Sequence, residues 1–246
     1  MPAVPGMNMT QLSDSQVGGR LALDIETISP TLGPDEYPNF DDPTDFELLA
    51  TALAYESPNS EGGDTKEVVL WREGTDATSE VAHLRDLVEV IQATVPSEIV
   101  TYNGDRFDFK ILKGRAEIAA SNVDATAVAV QMQRVLNQCN HLDLKYSAWE
   151  AYGDYTSLEE VLANENLPVR ETRLMDYNHG HDLSYRSDDD SPYICSSDIP
   201  AIGEDYLRTI SNDEELVRRD ETKAMLEDYA LGDIEHLLTL ADRHPF

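Results

Sequence analysis

Residues 19–27 read Gly-Arg-Leu-Ala-Leu-Asp-Ile-Glu-Thr, and the alternation inside them decides the fold. On an extended strand successive side chains point to opposite faces, so Leu21, Leu23 and Ile25 share one face while Asp24 and Glu26 share the other. Two carboxylates side by side on a central strand repel each other and lose solvation unless something cationic sits between them. A divalent metal is the economical answer. The alternative is an edge strand with a wet face, which a bare Asp-x-Glu also permits.

Working outward, residues 45–56 (DFELLATALAYE) and 66–72 (KEVVLWR) are further apolar runs set off by Pro, Asp, Asn and Gly clusters. With the first strand they predict a three-stranded antiparallel meander. Residues 79–96 place Val81, Leu84, Leu87, Val88 and Ile91 at helical spacing, with Pro96 marking the end. EIVTYNG (98–104) reads as a fourth strand. A helix from near Arg106, an apolar stretch from Ala125 to Leu136 and the short run HLDL (141–144) then give the alternation of a parallel crossover. The expected fold class is α/β, a central mixed five-stranded sheet flanked by helices.

Downstream, Ser157 and Glu160 form a capping-box pattern for a short helix ended by Pro168, and Ser211 with Glu214 forms another ahead of a helical stretch running to about Arg243. Residues 170–200 lack either periodicity and read as an irregular insertion, a length of loop that is usually functional or disordered. Residues 1–18, rich in Pro, Gly, Ser and Gln, read as a flexible leader, so one domain is expected over 19–246.

The 246 residues include 48 acidic and 18 basic side chains, a net charge of -30. Alone, that balance argues against a polyanionic partner. The acid is spread along the chain, however, and the apolar periodicity survives it, which fits a salt-adapted surface. At 1 M salt the Debye length is about 3 Å, and bulk repulsion stops mattering beyond contact. An acidic partner-binding surface is the competing reading. Cys139 and Cys195 have neither metal-type spacing nor a disulfide pattern, and no apolar stretch is long enough to span a bilayer, so a soluble protein of the reducing cytoplasm, with no membrane partner, is expected.

Two further segments carry carboxylates toward the Asp24–Glu26 strand. In TYNGDRFDFKIL (101–112) a strand ends at Asn103-Gly104 and a helix follows with Asp108 in its first turn, at the end of a neighbouring strand, where α/β sheets build sites. Arg106, Lys110 and Lys113 are spaced to share a helix face, either to meet phosphates or to form surface ion pairs. In the C-terminal stretch Leu226, Ala230, Ile234, Leu237 and Ala241 make an apolar stripe, with Tyr229 and Asp233 one turn apart along its margin. Asp228, Glu235 and Asp242 fall on the solvent side.

Taken in series, these segments resemble the DEDD superfamily of 3'-5' exonucleases, in the branch with a tyrosine four residues before the last aspartate. TYNGDRFDFKIL and HLDLKYSAWEAYGDYTSLEEVL look most like the proofreading domain of family B DNA polymerases. The resemblance implies a ribonuclease H-like fold and hydrolysis of phosphodiester bonds from a 3' end of single-stranded nucleic acid, DNA favoured over RNA. It implies two divalent cations, Mg²⁺ or Mn²⁺: Asp24 bridging them, Glu26 and Asp233 completing one, Asp108 supporting the other. Tyr229 would orient the attacking water, and Asp143 would support the site. Thr27, Asn103, Arg106, Phe107 and Lys110 would touch the strand, with Phe107, Phe109 and Tyr102 available for stacking. A polymerase palm, fingers and thumb after this domain are not expected, and residues 170–200 have no clear family counterpart. A replication or repair scaffold docking a protein through that insertion, and an exoribonuclease, stand as alternatives.

Overall fold

The computed structural model describes residues 17–33, 36–59, 65–177, 191–210 and 216–246. Most of the expected leader, residues 1–16, lies outside them, as do residues 178–190 of the expected insertion and the Ser211–Glu214 capping pattern. Strands β1 (Arg20–Ile28), β2 (Glu47–Glu56), β3 (Thr65–Trp71), β4 (Glu98–Thr101) and β5 (Asn140–Asp143) form one sheet in the order β3-β2-β1-β4-β5. The first three run antiparallel as a meander; β4 joins β1 and β5 joins β4 in parallel. The α/β mixed sheet read from the sequence is the architecture found.

Helices cover both faces. On one lie α1 (Ala77–Thr94), α2 (Asp108–Asn122) and α3 (Thr126–Gln138), packed on Leu21, Leu23 and Ile25. On the other lie α4 (Leu144–Tyr152), α5 (Leu158–Asn164), α6 (Ile199–Ile210), α7 (Leu216–Ile234) and α8 (Leu237–Arg243), over Ala22, Ala50 and Val100. Small residues of the sheet let these helices come close. At Gly203 of α6 an added Cβ would stand 2.4 Å from Leu49 Cδ2 and 2.8 Å from Ile28 Cγ2, so only glycine fits unless those side chains move.

A buried ion pair ties the first face together. Arg115 of α2 donates twice to Glu80 of α1, at 2.9 and 2.7 Å, and Glu80 Oε1 also accepts the Leu48 N–H at 3.0 Å. Glu80 is 1% exposed, and the further bond to the β2 backbone satisfies the lone pair that would otherwise make such burial costly.

The structure corrects several local expectations. The helix expected from near Arg106 begins at Asp108, because Asn103 takes a left-handed φ of 82° and its carbonyl accepts both Arg106 and Phe107 N–H in a tight turn. Arg106 therefore sits on the turn, away from the Lys110–Lys113 helix. Residues 144–152 form a helix that follows β5 without a loop, its first turn capped by Asp143 and its last closed at Gly153. The C-terminal stretch is two helices, broken at Glu235–His236, and the break brings Leu237, Leu238 and Leu240 into the cluster with Ala22 and Val100. The described ends of the 170–200 segment are partly regular: Arg173 and Tyr193 form an antiparallel bridge, and α6 already begins at Ile199.

Candidate active site

The site forms where the sheet divides. β1 pairs with β2 along its whole length but with β4 only from Arg20 to Ala22. Beyond Ala22 the β1 edge facing β4 is freed from the ladder, and the N-terminus of α2 fills the opening: Asp108 Oδ1 accepts the Ile25 N–H at 3.3 Å. This is the carboxyl end of β1 and β4, where strand order reverses, the usual place for a site in an open α/β sheet. A register shift between Glu26 and Thr27 marks a bulge on the β1–β2 side, a device that re-aims side chains.

Asp24 and Glu26 project from the face opposite Leu23 and Ile25, toward α7. Asp233 of α7 meets them there, and carboxylate oxygens of Asp24, Glu26 and Asp233 all lie within 4.8 Å of one another. Asp108 closes the group, near enough to perturb both β1 carboxylates. Asp108 and Glu26 are enclosed, at 2% and 7% exposure, whereas Asp24 and Asp233 keep part of their surface open.

The electrostatics of the four are one-sided. Burial first, then the neighbouring carboxylates, hold Asp24 and Glu26 well above the ordinary range. Asp108 is pushed up to about 7 by burial, although the N–H groups of Ile25 and of its own helix turn pull the other way. Asp233 is likewise raised to about 7 by burial and by Glu159, with its bond to the Tyr229 hydroxyl opposing. Among the described residues none of the groups shifting these four is a cation, and Glu26 Oε1 is buried with no hydrogen-bond partner. Hard oxygen donors converging with an unsatisfied lone pair and no counter-charge fit Mg²⁺ or Mn²⁺.

Tyr229 stands one helical turn before Asp233. Burial and the carboxylates of Asp233, Glu26, Asp24 and Glu159 all raise its pKa, so the phenol stays protonated. Asp143 does not join the cluster. Its Oδ1 accepts the N–H groups of Asn103 (2.8 Å) and Lys145 (3.0 Å), and its Oδ2 that of Asp105 (3.0 Å), fixing the turn ahead of Asp108. Asp143→Ala is expected to lose about 2–3 kcal/mol of stability in urea unfolding; a loss below about 0.5 kcal/mol would mean that the turn holds without it.

A groove of about 620 Å³ opens beside Asp24 and Asp233, within the range of small-molecule sites. It is lined by Tyr102, Asn103, Lys145, Ser157, Leu158 and Glu159, by Arg170, Thr172, Tyr193 and Cys195 from the described ends of the 170–200 segment, and by Tyr229 and Gly232 of α7.

Of the residues expected to touch a strand, Asn103 lines this groove, whereas Thr27, Arg106, Phe107 and Lys110 do not. Thr27 sits at the bulge in register with Leu48, Phe107 packs at 5.4 Å on Phe46, and Lys110 is paired with Asp41. Phe109, one of the rings expected to stack on bases, instead stacks on His141 at 4.0 Å and is 7% exposed. Lys145 and Glu159 were not singled out by the sequence. Their only local signals are adjacency to the HLDL run and to the Ser157 cap.

Residues 49–143 match the model of the family described as DNA polymerase family B, exonuclease domain. That stretch holds Asp108 and Asp143; Asp24, Glu26, Tyr229 and Asp233 lie outside it and reach the site through the fold. Among solved structures, the family B DNA polymerase from the hyperthermophilic archaeon Pyrobaculum calidifontis is similar at a TM-score of 0.56 and 19% identity. The match covers 91% of this chain and 24% of the polymerase, so the chain spans about a quarter of its length. At that identity the likeness speaks to the fold alone, a ribonuclease H-like α/β arrangement with a mixed five-stranded sheet flanked by helices. No curated protein sequence matches significantly. No helix among the described residues is long and apolar enough to cross a membrane.

Proposed function

We propose that this chain is a 3'-5' exonuclease of the tyrosine-bearing DEDD type, hydrolysing the terminal phosphodiester bond of single-stranded DNA and releasing nucleoside monophosphates. The observation that carries this reading is the convergence of Asp24, Glu26 and Asp233 within 4.8 Å, backed by Asp108, with a buried Glu26 oxygen left unsatisfied. The exonuclease-domain match over residues 49–143 supports the same reaction.

Asp24, Glu26, Asp108 and Asp233 would hold two divalent cations. When bound, such ions stabilise the charge that develops on attacking and leaving oxygens and lower the pKa of coordinated water. The protein's own residues bind and orient. Tyr229, protonated and bonded to Asp233, positions a water through its hydroxyl and does not act as a base. Asn103, Ser157 and Lys145 offer donors in the groove lining for sugar and phosphate oxygens, while Tyr102 and Leu158 give a base an apolar surface.

A 5'-labelled single strand incubated with the protein and Mn²⁺ in molar KCl, the salt suited to a chain of net charge -30, should shorten one nucleotide at a time. Chelation should stop the reaction, and a circular strand should survive. An intact linear strand would end the exonuclease reading. Equal or faster cutting of a matched RNA strand would shift the substrate from DNA to RNA.

A further inference from the structure

Beside the groove the surface changes character. α4 and the turn after it carry Tyr146, Trp149 and Tyr155, with the Trp149 ring centroid 6.2 Å from that of Tyr146 and 6.0 Å from that of Tyr155. The Arg106 guanidinium lies 4.9 Å from the Trp149 centroid, and the Lys145 ammonium lies 5.5 Å from it. Among the described residues neither cation closes an ion pair with a carboxylate, although acidic side chains outnumber basic ones 48 to 18. Nor does packing explain the outer rings: Tyr155 is 87% exposed and Tyr146 44%.

The cluster is continuous with the groove. Lys145 lines the groove beside Asp24 and also reaches over the Tyr102 ring at 5.4 Å. The Tyr102 hydroxyl donates to the Thr156 carbonyl at 2.5 Å, which anchors the turn bearing Tyr155 to the end of β4. A strand whose 3' end occupies the groove has this surface available for the nucleotides that follow.

We propose that Tyr146, Trp149 and Tyr155, with Arg106 and Lys145, form a platform that binds single-stranded nucleic acid on the 5' side of the end held in the groove. This rests on the exonuclease reading for its account of what enters the groove. Exposed ring faces stack bases of any sequence, and the two cations meet phosphates. A platform of this kind lets a strongly acidic protein hold a strand with a few local contacts in salt that screens the rest of its surface.

The test is binding of 5'-fluorescein thymidine strands to the full chain in chelator, where nothing is cut, read by anisotropy. A dodecanucleotide reaches the platform and a trinucleotide fills only the groove. Tyr155→Ala and Trp149→Leu should each weaken the long strand on the order of tenfold and leave the short one within about twofold. Trp149→Phe should restore most of the loss, and Tyr155→Ala removes a ring too exposed for the fold to depend on it. Equal weakening of both lengths, or none, overturns the platform even if the wild-type protein cuts in Mn²⁺. Length-dependent weakening in a protein that fails to cut would leave the platform standing and remove the exonuclease reading instead.

Discussion

Asp233→Asn and Asp24→Asn are each expected to slow nucleotide release by on the order of a thousandfold, with strand affinity changed only a few-fold. Metal ions supply several kcal/mol of transition-state charge stabilisation, and each 1.36 kcal/mol is a factor of about ten in rate. An amide keeps the size of the carboxylate and removes the charge that makes it a ligand. The right control is Asp242→Asn, whose carboxylate pairs with Arg20 at the other end of β1 and is 62% exposed. Losing that surface pair should cost at most about 1 kcal/mol of stability and nothing in turnover. Single-turnover rates on a labelled strand make the comparison, and wild-type rates in both site variants would show that these carboxylates take no part in the reaction.

Asp108→Asn should make the metal-free protein more stable. Asp108 is 2% exposed and rises from an ordinary 3.8 to about 7, so at pH 8 the fold keeps an ionised carboxylate that its surroundings disfavour. The difference of about three units corresponds to at most about 4 kcal/mol. Weaker interaction with the N-terminus of α2 takes back up to about 1 kcal/mol. Asparagine retains the Oδ1 that accepts the Ile25 N–H. A net gain of about 2–3 kcal/mol is expected, on the order of 5–10 °C in melting temperature.

The same shift fixes the pH dependence. A carboxyl whose folded pKa is raised contributes stability that is fully present below its unfolded value near 3.8 and is lost as pH rises through about 7. In chelator, the wild-type melting temperature should therefore climb between pH 8 and pH 5, and Asp108→Asn should flatten the climb. Saturating Mn²⁺ should reverse the slope, because cations bind the deprotonated ligands. A variant that melts below the wild type in chelator would mean that Asp108 is held by a favourable contact rather than disfavoured by its burial.

The elements that position the site were legible because they obey short-range rules. Alternation in LALDIET separated Leu21, Leu23 and Ile25 from Asp24 and Glu26, and the strand faces follow that division. The capping box at Ser157 and Glu160 is present with both of its bonds. What stayed hidden depends on partners distant in sequence. Nothing local marks Glu80 or Arg115 as buried, since each sits on a helix whose pattern admits an exposed charge there; the pair exists because two helices cross over Leu48. The turn at Asn103 is held by Asp143, forty residues away, and that hold displaced Arg106 from the helix. Trp149 is tied to the site only when Lys145 is seen to lie over its ring and also to line the groove.

The parting of β1 from β4 after Ala22 has a consequence for how such a protein can diversify. Its carboxylates hang around the fork itself, two on β1 and one on each of the helices α2 and α7 packed against it, so their spacing is inherited from the packing of the backbone. The described segments 153–157, 170–177 and 191–198 merely flank the opening. Trading those segments for others would redraw the mouth of the groove and leave the acidic quartet in place.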